Sequence, residues 1–209
     1  RTSVEAGIPV AINLSKDDIS FYPIIYWPIT DNENGLSDDM INKVQVYMKN
    51  GGLIVFDTRD LSPTNVITKN KSKEQKALKV ILKSLDLPIL IKVPESHVIR
   101  RSFYLLDKLP GRYTGGDVWV EATAMNSKDG VSSVIIGGND WASAWAKDSN
   151  YKPLYSVIPG GEKQREFSYR FGVNLVMYAM TGNYKADQVH IKSILKRLNN
   201  KPNKTKEIE

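Results

Sequence analysis

The chain has no cysteine. That excludes a disulfide framework, a thiolate metal site and a cysteine nucleophile. Only two histidines are present, His97 and His190, and neither stands in an H-E-x-x-H or comparable metal-binding spacing. No apolar run approaches the ~20 residues that a membrane-spanning helix needs. There is no G-x-S-x-G for a serine on a strand-to-helix elbow. The G-G-E-K at residues 160–163 lacks the second glycine and the Lys-Ser/Thr of a phosphate-cradling loop. It reads as a turn and helix start, with an anion on free N–H groups as the sharper alternative. No catalytic residue, metal set or cofactor is assigned.

What is present is the balance of a globular protein. Of 209 residues, 41% are hydrophobic and 25% charged, and a domain of this size buries about 70% of its unfolded surface. The net charge is +6, but it is unevenly placed. Residues 69–83 hold six lysines against Glu74, and residues 185–209 hold seven Lys/Arg against three acids. The remainder is mildly acidic. The lysines therefore read as solvated faces, and nucleic acid is not expected as a partner. The chain opens on Arg1 rather than Met. It is expected to be a piece of a longer protein, so missing targeting segments carry little weight.

The organising stretch is GGLIVFDTRD, residues 51–60. Four apolar residues between glycines and charges predict a strand buried on both faces, as in a parallel sheet. Upstream, residues 8–14 and 21–29 predict strands, the second bracketed by Pro23 and Pro28. Ser37 is placed to cap a helix carrying Met40, Ile41, Val44, Tyr47 and Met48 at helical spacing, with Asp38 and Asp39 in its first turn. The result is a β-α-β unit, expected to cross over right-handed into a parallel pair.

Downstream, Ala77, Leu78, Ile81, Leu82 and Leu85 predict a second amphipathic helix, followed by a short strand within residues 87–93. Residues 117–123 and 131–138 predict an antiparallel hairpin. The longest helix is expected over residues 163–180, with an apolar stripe of Phe167, Phe171, Leu175 and Tyr178 widened by Val173 and Val176. Glu166, Arg170 and Asn174 form a separate stripe. Gly182 and Asn183 are expected to end that helix, and Asp187 to cap a last one. The predicted fold is a single α/β domain over residues 1–198 around a mostly parallel sheet, with a disordered basic tail over 199–209.

In open α/β sheets, ligands sit beyond the carboxyl ends of the strands. Asp57 and Asp140 both end predicted strands. If those strands are neighbours, the two carboxylates share a crevice with Arg59, Asn139 and Trp141, and His97 and Arg165 complete the candidate ligand-binding lining. Arg59 and Arg165 would take an anionic group, Asp57 and Asn139 would fix polar groups, and Trp141 would stack. The same residues have a structural reading. Asp57 would bond loop amides, and Asp140 would cap the helix that holds Trp145. A third possibility is a metal-assisted hydrolase using Asp57, His97 and Asp140.

Five strings bear a resemblance of another kind: FYPIIYWPI, GGLIVFDTRD, HVIRRSFYLLDKLPGRYTGGDVWVE, IIGGNDWASAWA and GGEKQREFSYRFGVNLVMYAMTGNYKADQVH. Together they resemble a bacterial family, domain of unknown function 4159, over nearly all of the chain to about Leu198. The resemblance implies a flavodoxin-like three-layer sandwich similar to the class I glutamine amidotransferases. It implies a place at the C-terminal end of large membrane-anchored proteins whose N-terminal part is similar to the BatA-like aerotolerance regulators. The expected partner is then the rest of the same chain, besides a small polar or anionic ligand. In longer members a strand and helix precede the point where this chain begins. Amidotransferases of this fold use a cysteine on the elbow, so that activity does not carry over. The resemblance supplies no catalytic residue.

Overall fold

The computed structural model describes residues 9–33, 35–62, 72–122 and 131–199, with side chains described as far as residue 180. Its sheet has five strands: β1 (Ile24–Pro28), β2 (Leu53–Asp57), β3 (Leu90–Lys92), β4 (Trp119–Glu121) and β5 (Val134–Gly137). They lie in the order β1-β2-β5-β4-β3. β1, β2 and β5 run parallel. β4 is antiparallel to both β5 and β3.

β2 is buried at all five positions because it is covered on both faces. Its side chains alternate between two cores. Ile54 and Phe56 pack with Val44 and Tyr47 of helix α1 (Asp38–Lys49) and with Ala77, Leu78 and Ile81 of α2 (Lys73–Ser84). Leu53 and Val55 pack on the opposite face with Trp141 of α3 (Trp141–Trp145) and with Phe171, Leu175 and Tyr178 of α4 (Gly161–Asn199). The fold is thus an α/β sandwich of three layers.

Local chemistry sets most boundaries. The Ser37 hydroxyl accepts from the Met40 amide at the start of α1, and Ser72 accepts from Gln75 at the start of α2, each satisfying one otherwise free helix donor. Lys76, Lys79 and Lys83 point to solvent.

Three expectations change. Residues 9–14 form no strand. Asn13 accepts from the Ser15 amide, and Asp17 accepts from the Asn13 amide, so local side-chain bonds close a turn instead. Ile12 and Leu14 still pack on the α1–α2 core. α4 runs through Gly182 and Asn183 without a break. One interior glycine costs a helix only about 1 kcal/mol relative to alanine. Val173 and Val176 do not widen the buried stripe but lie on the outer side of α4, 40% and 43% exposed. The loop over residues 63–71, the hairpin turn over 123–130 and the tail from residue 200 lie outside the described residues.

Candidate ligand site

The parallel strands β2 and β5 pair Asp57 with Gly137, so the two polar strand ends do converge. Asp57 is fully buried. Its carboxylate accepts from the Tyr26 hydroxyl at 2.6 Å, the Arg59 amide at 3.0 Å, the Asp140 amide at 3.2 Å and the Trp141 amide at 2.8 Å. The Tyr26 oxygen in turn accepts from the Ala142 amide. Burial pushes the Asp57 carboxyl above the usual range, against the opposite pull of these four donors. The same burial, with Asp57 beside it, keeps the Tyr26 phenol protonated.

Arg59 and Asp140 both adopt positive φ, 53° and 55°. This conformation is costly for a side chain with a Cβ. Asp57 holds both in place through their amides. It also bonds the first amide of α3, so the helix start is satisfied by a neighbouring strand rather than by Asp140, whose side chain makes no cap bond. The two glycines before this turn are required by space. A Cβ on Gly137 would lie 2.4 Å from the Trp141 ring, and one on Gly138 would lie 2.4 Å from Asp60 Oδ1.

The remaining candidate residues fall into place around this knot. The Arg59 guanidinium bonds Ile29 O at the end of β1. Asn139 Nδ2 and Trp141 Nε1 both bond Leu109 O, and the Trp141 indole lies wholly inside the core against Phe171. Asp140 Oδ2 meets Arg112 Nη1 at 3.5 Å, while its Oδ1 is buried without a partner. The Arg165 guanidinium is buried, bonded to Glu162, Ala144 O and Tyr155 O. Asp57, Asn139, Asp140 and Trp141 therefore meet, but they hold one another and the backbone.

His97 lies elsewhere. Its ring packs on Tyr178, whose hydroxyl accepts from the Ser132 amide before β5. That is the amino end of the strand, opposite to Asp57 and Asp140. Among the described residues no three His, Asp or Glu side chains gather as a metal site. The hydrolase reading thus has no geometry behind it.

His97 Nδ1 accepts from the Ile99 amide, which puts the neutral ring's proton on Nε2, a buried atom without a partner. Burial, with Arg100 and Arg101 nearby, depresses its pKa to about 4 from an ordinary 6.5. Between these values the unfolded chain takes up the proton and the folded chain does not. Stability is therefore full above pH 6.5 and falls as pH drops toward 4, by about 2 kcal/mol after allowance for solvent screening. Urea unfolding of wild type and His97→Gln across this range checks it: the variant should lose that part of the slope.

The open space lies one step outward on the same end of the sheet. A cavity of about 380 Å³ is lined by Leu105, Asp107, Lys108, Pro110, Thr114 and, from the start of α4, Pro159, Gly160, Lys163, Gln164 and Phe167. Its walls are fixed to the strand-end knot. Leu109 O receives Asn139 and Trp141, and the Gln164 amide bonds Gly111 O, Arg112 O and Ile158 O while accepting from Gly160 N. Sequence reasoning singled out the G-G-E-K turn that forms one wall. It missed residues 105–114, because nothing in their composition marks them as facing it.

A sequence model of the family described as domain of unknown function (DUF4159) matches residues 1–180. No curated protein matches the chain.

Proposed function

The chain belongs to the DUF4159 family, and from the geometry above we propose that it is a non-catalytic binding domain for a small polar or anionic ligand. The observation that carries this reading is a contrast between two places. At the strand ends, Asp57 is consumed by four internal donors and Trp141 by the core. In the adjoining cavity, Lys108 and Lys163 face open space and form no ion pair among the described residues. A preformed hollow with free polar groups on rigid walls is the usual form of a small-molecule site.

The family resemblance supports a further part of the reading. The domain would be carried by a membrane-anchored bacterial envelope protein, and the rest of that chain would be its standing partner. No helix among the described residues is long and apolar enough to cross a membrane.

Thermal unfolding against a panel of small carboxylates, phosphates and sugar acids tests the site. A ligand at a hundred times its Kd stabilises the native state by about 2.7 kcal/mol, which should raise Tm by roughly 5 °C or more. Thr114→Trp, which fills the cavity, should abolish the rise. A wild type that no member of the panel shifts, or shifts that survive Thr114→Trp, would sink the reading.

A further inference from the structure

We propose that this cavity takes an amphipathic monocarboxylate: a carboxylate head held by Lys108 and Lys163, and a short apolar body laid against Phe167, Leu105, Pro110 and Pro159. The inference rests on the binding reading above and adds the chemistry of the ligand.

The first argument is a gradient of polarity along one wall. Lys163, Gln164 and Phe167 all line the cavity, and their i, i+1, i+4 spacing puts them on adjacent positions of one side of α4, with Gly160 just before its first turn. Lys163 and Phe167 stand one turn apart, about 6 Å along the axis. The wall thus passes from an ammonium to an aromatic ring within the length of a few methylenes. The other segment of the lining has the same mix, with Lys108 beside Pro110 and Leu105, the last 81% exposed.

The second argument is charge. The nearby acids Glu162 and Glu166 are taken by Arg165 and Arg170. The lining itself holds two lysines and Asp107, a surplus of one positive charge. One carboxylate balances that surplus, whereas a phosphate dianion would overshoot it.

The third is rigidity. Arg100 ties the 105–110 segment down through Val93 O, Pro94 O and Asp107 O, and Gln164 ties the helix start. Little ordering is then left for binding to accomplish.

Calorimetric titration of the full 209-residue chain with octanoate, 1-octanol and inorganic phosphate decides the matter. Octanoate should bind. Lys163→Gln should weaken it about tenfold, the loss of one charge-assisted contact, and leave 1-octanol unchanged. Leu105→Ser alters a side chain too exposed to disturb the core, and should weaken both. Phosphate should not displace octanoate even in large excess. If 1-octanol binds as well as octanoate, or Lys163→Gln changes nothing, the anionic head is wrong while the cavity stands. If phosphate competes on equal terms, the apolar body is wrong. If no probe binds and the wider panel also fails, the binding reading falls with it.

Discussion

Asp57→Ala is expected to destabilise the domain by about 3–5 kcal/mol, the cost of stranding several buried donors at once. The carboxylate is fully buried and receives the Tyr26 hydroxyl and three backbone amides. Removing it leaves those four donors without an acceptor. It also releases Arg59 and Asp140, whose positive φ angles its bonds maintain, and loosens the first turn of α3. Asp57→Asn keeps the shape but supplies an amide N–H₂ where an acceptor is needed, so it should lose somewhat less, about 2–3 kcal/mol. Urea unfolding measures both. A loss under 1 kcal/mol for Asp57→Ala would show that water replaces the carboxylate freely and that the knot does not hold the strand ends together.

Asn174→Leu should be nearly as damaging, at about 3–4 kcal/mol. Asn174 is wholly buried on α4. Its Oδ1 accepts from the Phe103 and Tyr104 amides, and its Nδ2 donates to Ile99 O and Tyr104 O. One side chain thus replaces the regular structure that residues 101–106, just past the 3-10 turn Val98–Arg100, lack. Leucine has the same branched set of four side-chain heavy atoms, somewhat larger in volume, and makes none of these bonds, so four backbone groups lose their partner. Amide exchange adds a local readout: Phe103 and Tyr104 should lose protection before the sheet does. If their exchange rates match wild type, the clamp is not what orders this segment.

These two residues also show what was legible beforehand. The β1-α1-β2 unit, α2 and the start of α4 were readable because burial imposes a period on apolar residues, and because Ser37, the helix-to-strand glycine pair Gly51-Gly52 and the proline brackets punctuate that period. Asn174 reads from its spacing as part of a stripe with Glu166 and Arg170, separate from the apolar one. The spacing was right for the ion pair those two make, yet a helical wheel cannot say that a loop folds back over the third position. Asp57 and Asp140 were open to two readings. Sequence reasoning put both at strand ends, but hydrogen bonds between residues 83 and 84 positions apart leave no trace in local pattern. Arg165 and Gln164 were equally opaque. Gln164 spends its polar atoms on loop backbone, and Arg165 divides its own among Glu162, Ala144 O of α3 and the loop carbonyl of Tyr155, and a loop's route is set by the whole fold.

The sheet's two margins carry a last consequence. β3 is only three residues long and ends on the exposed Lys92, and β1 is bracketed by Pro23 and Pro28, neither of which has an N–H to offer. An unpaired strand edge invites a foreign chain to extend the sheet, and charge, brevity and proline are the usual deterrents. Crowded among copies of itself, this domain presents, among the described residues, no long ribbon on which strand-by-strand stacking could begin.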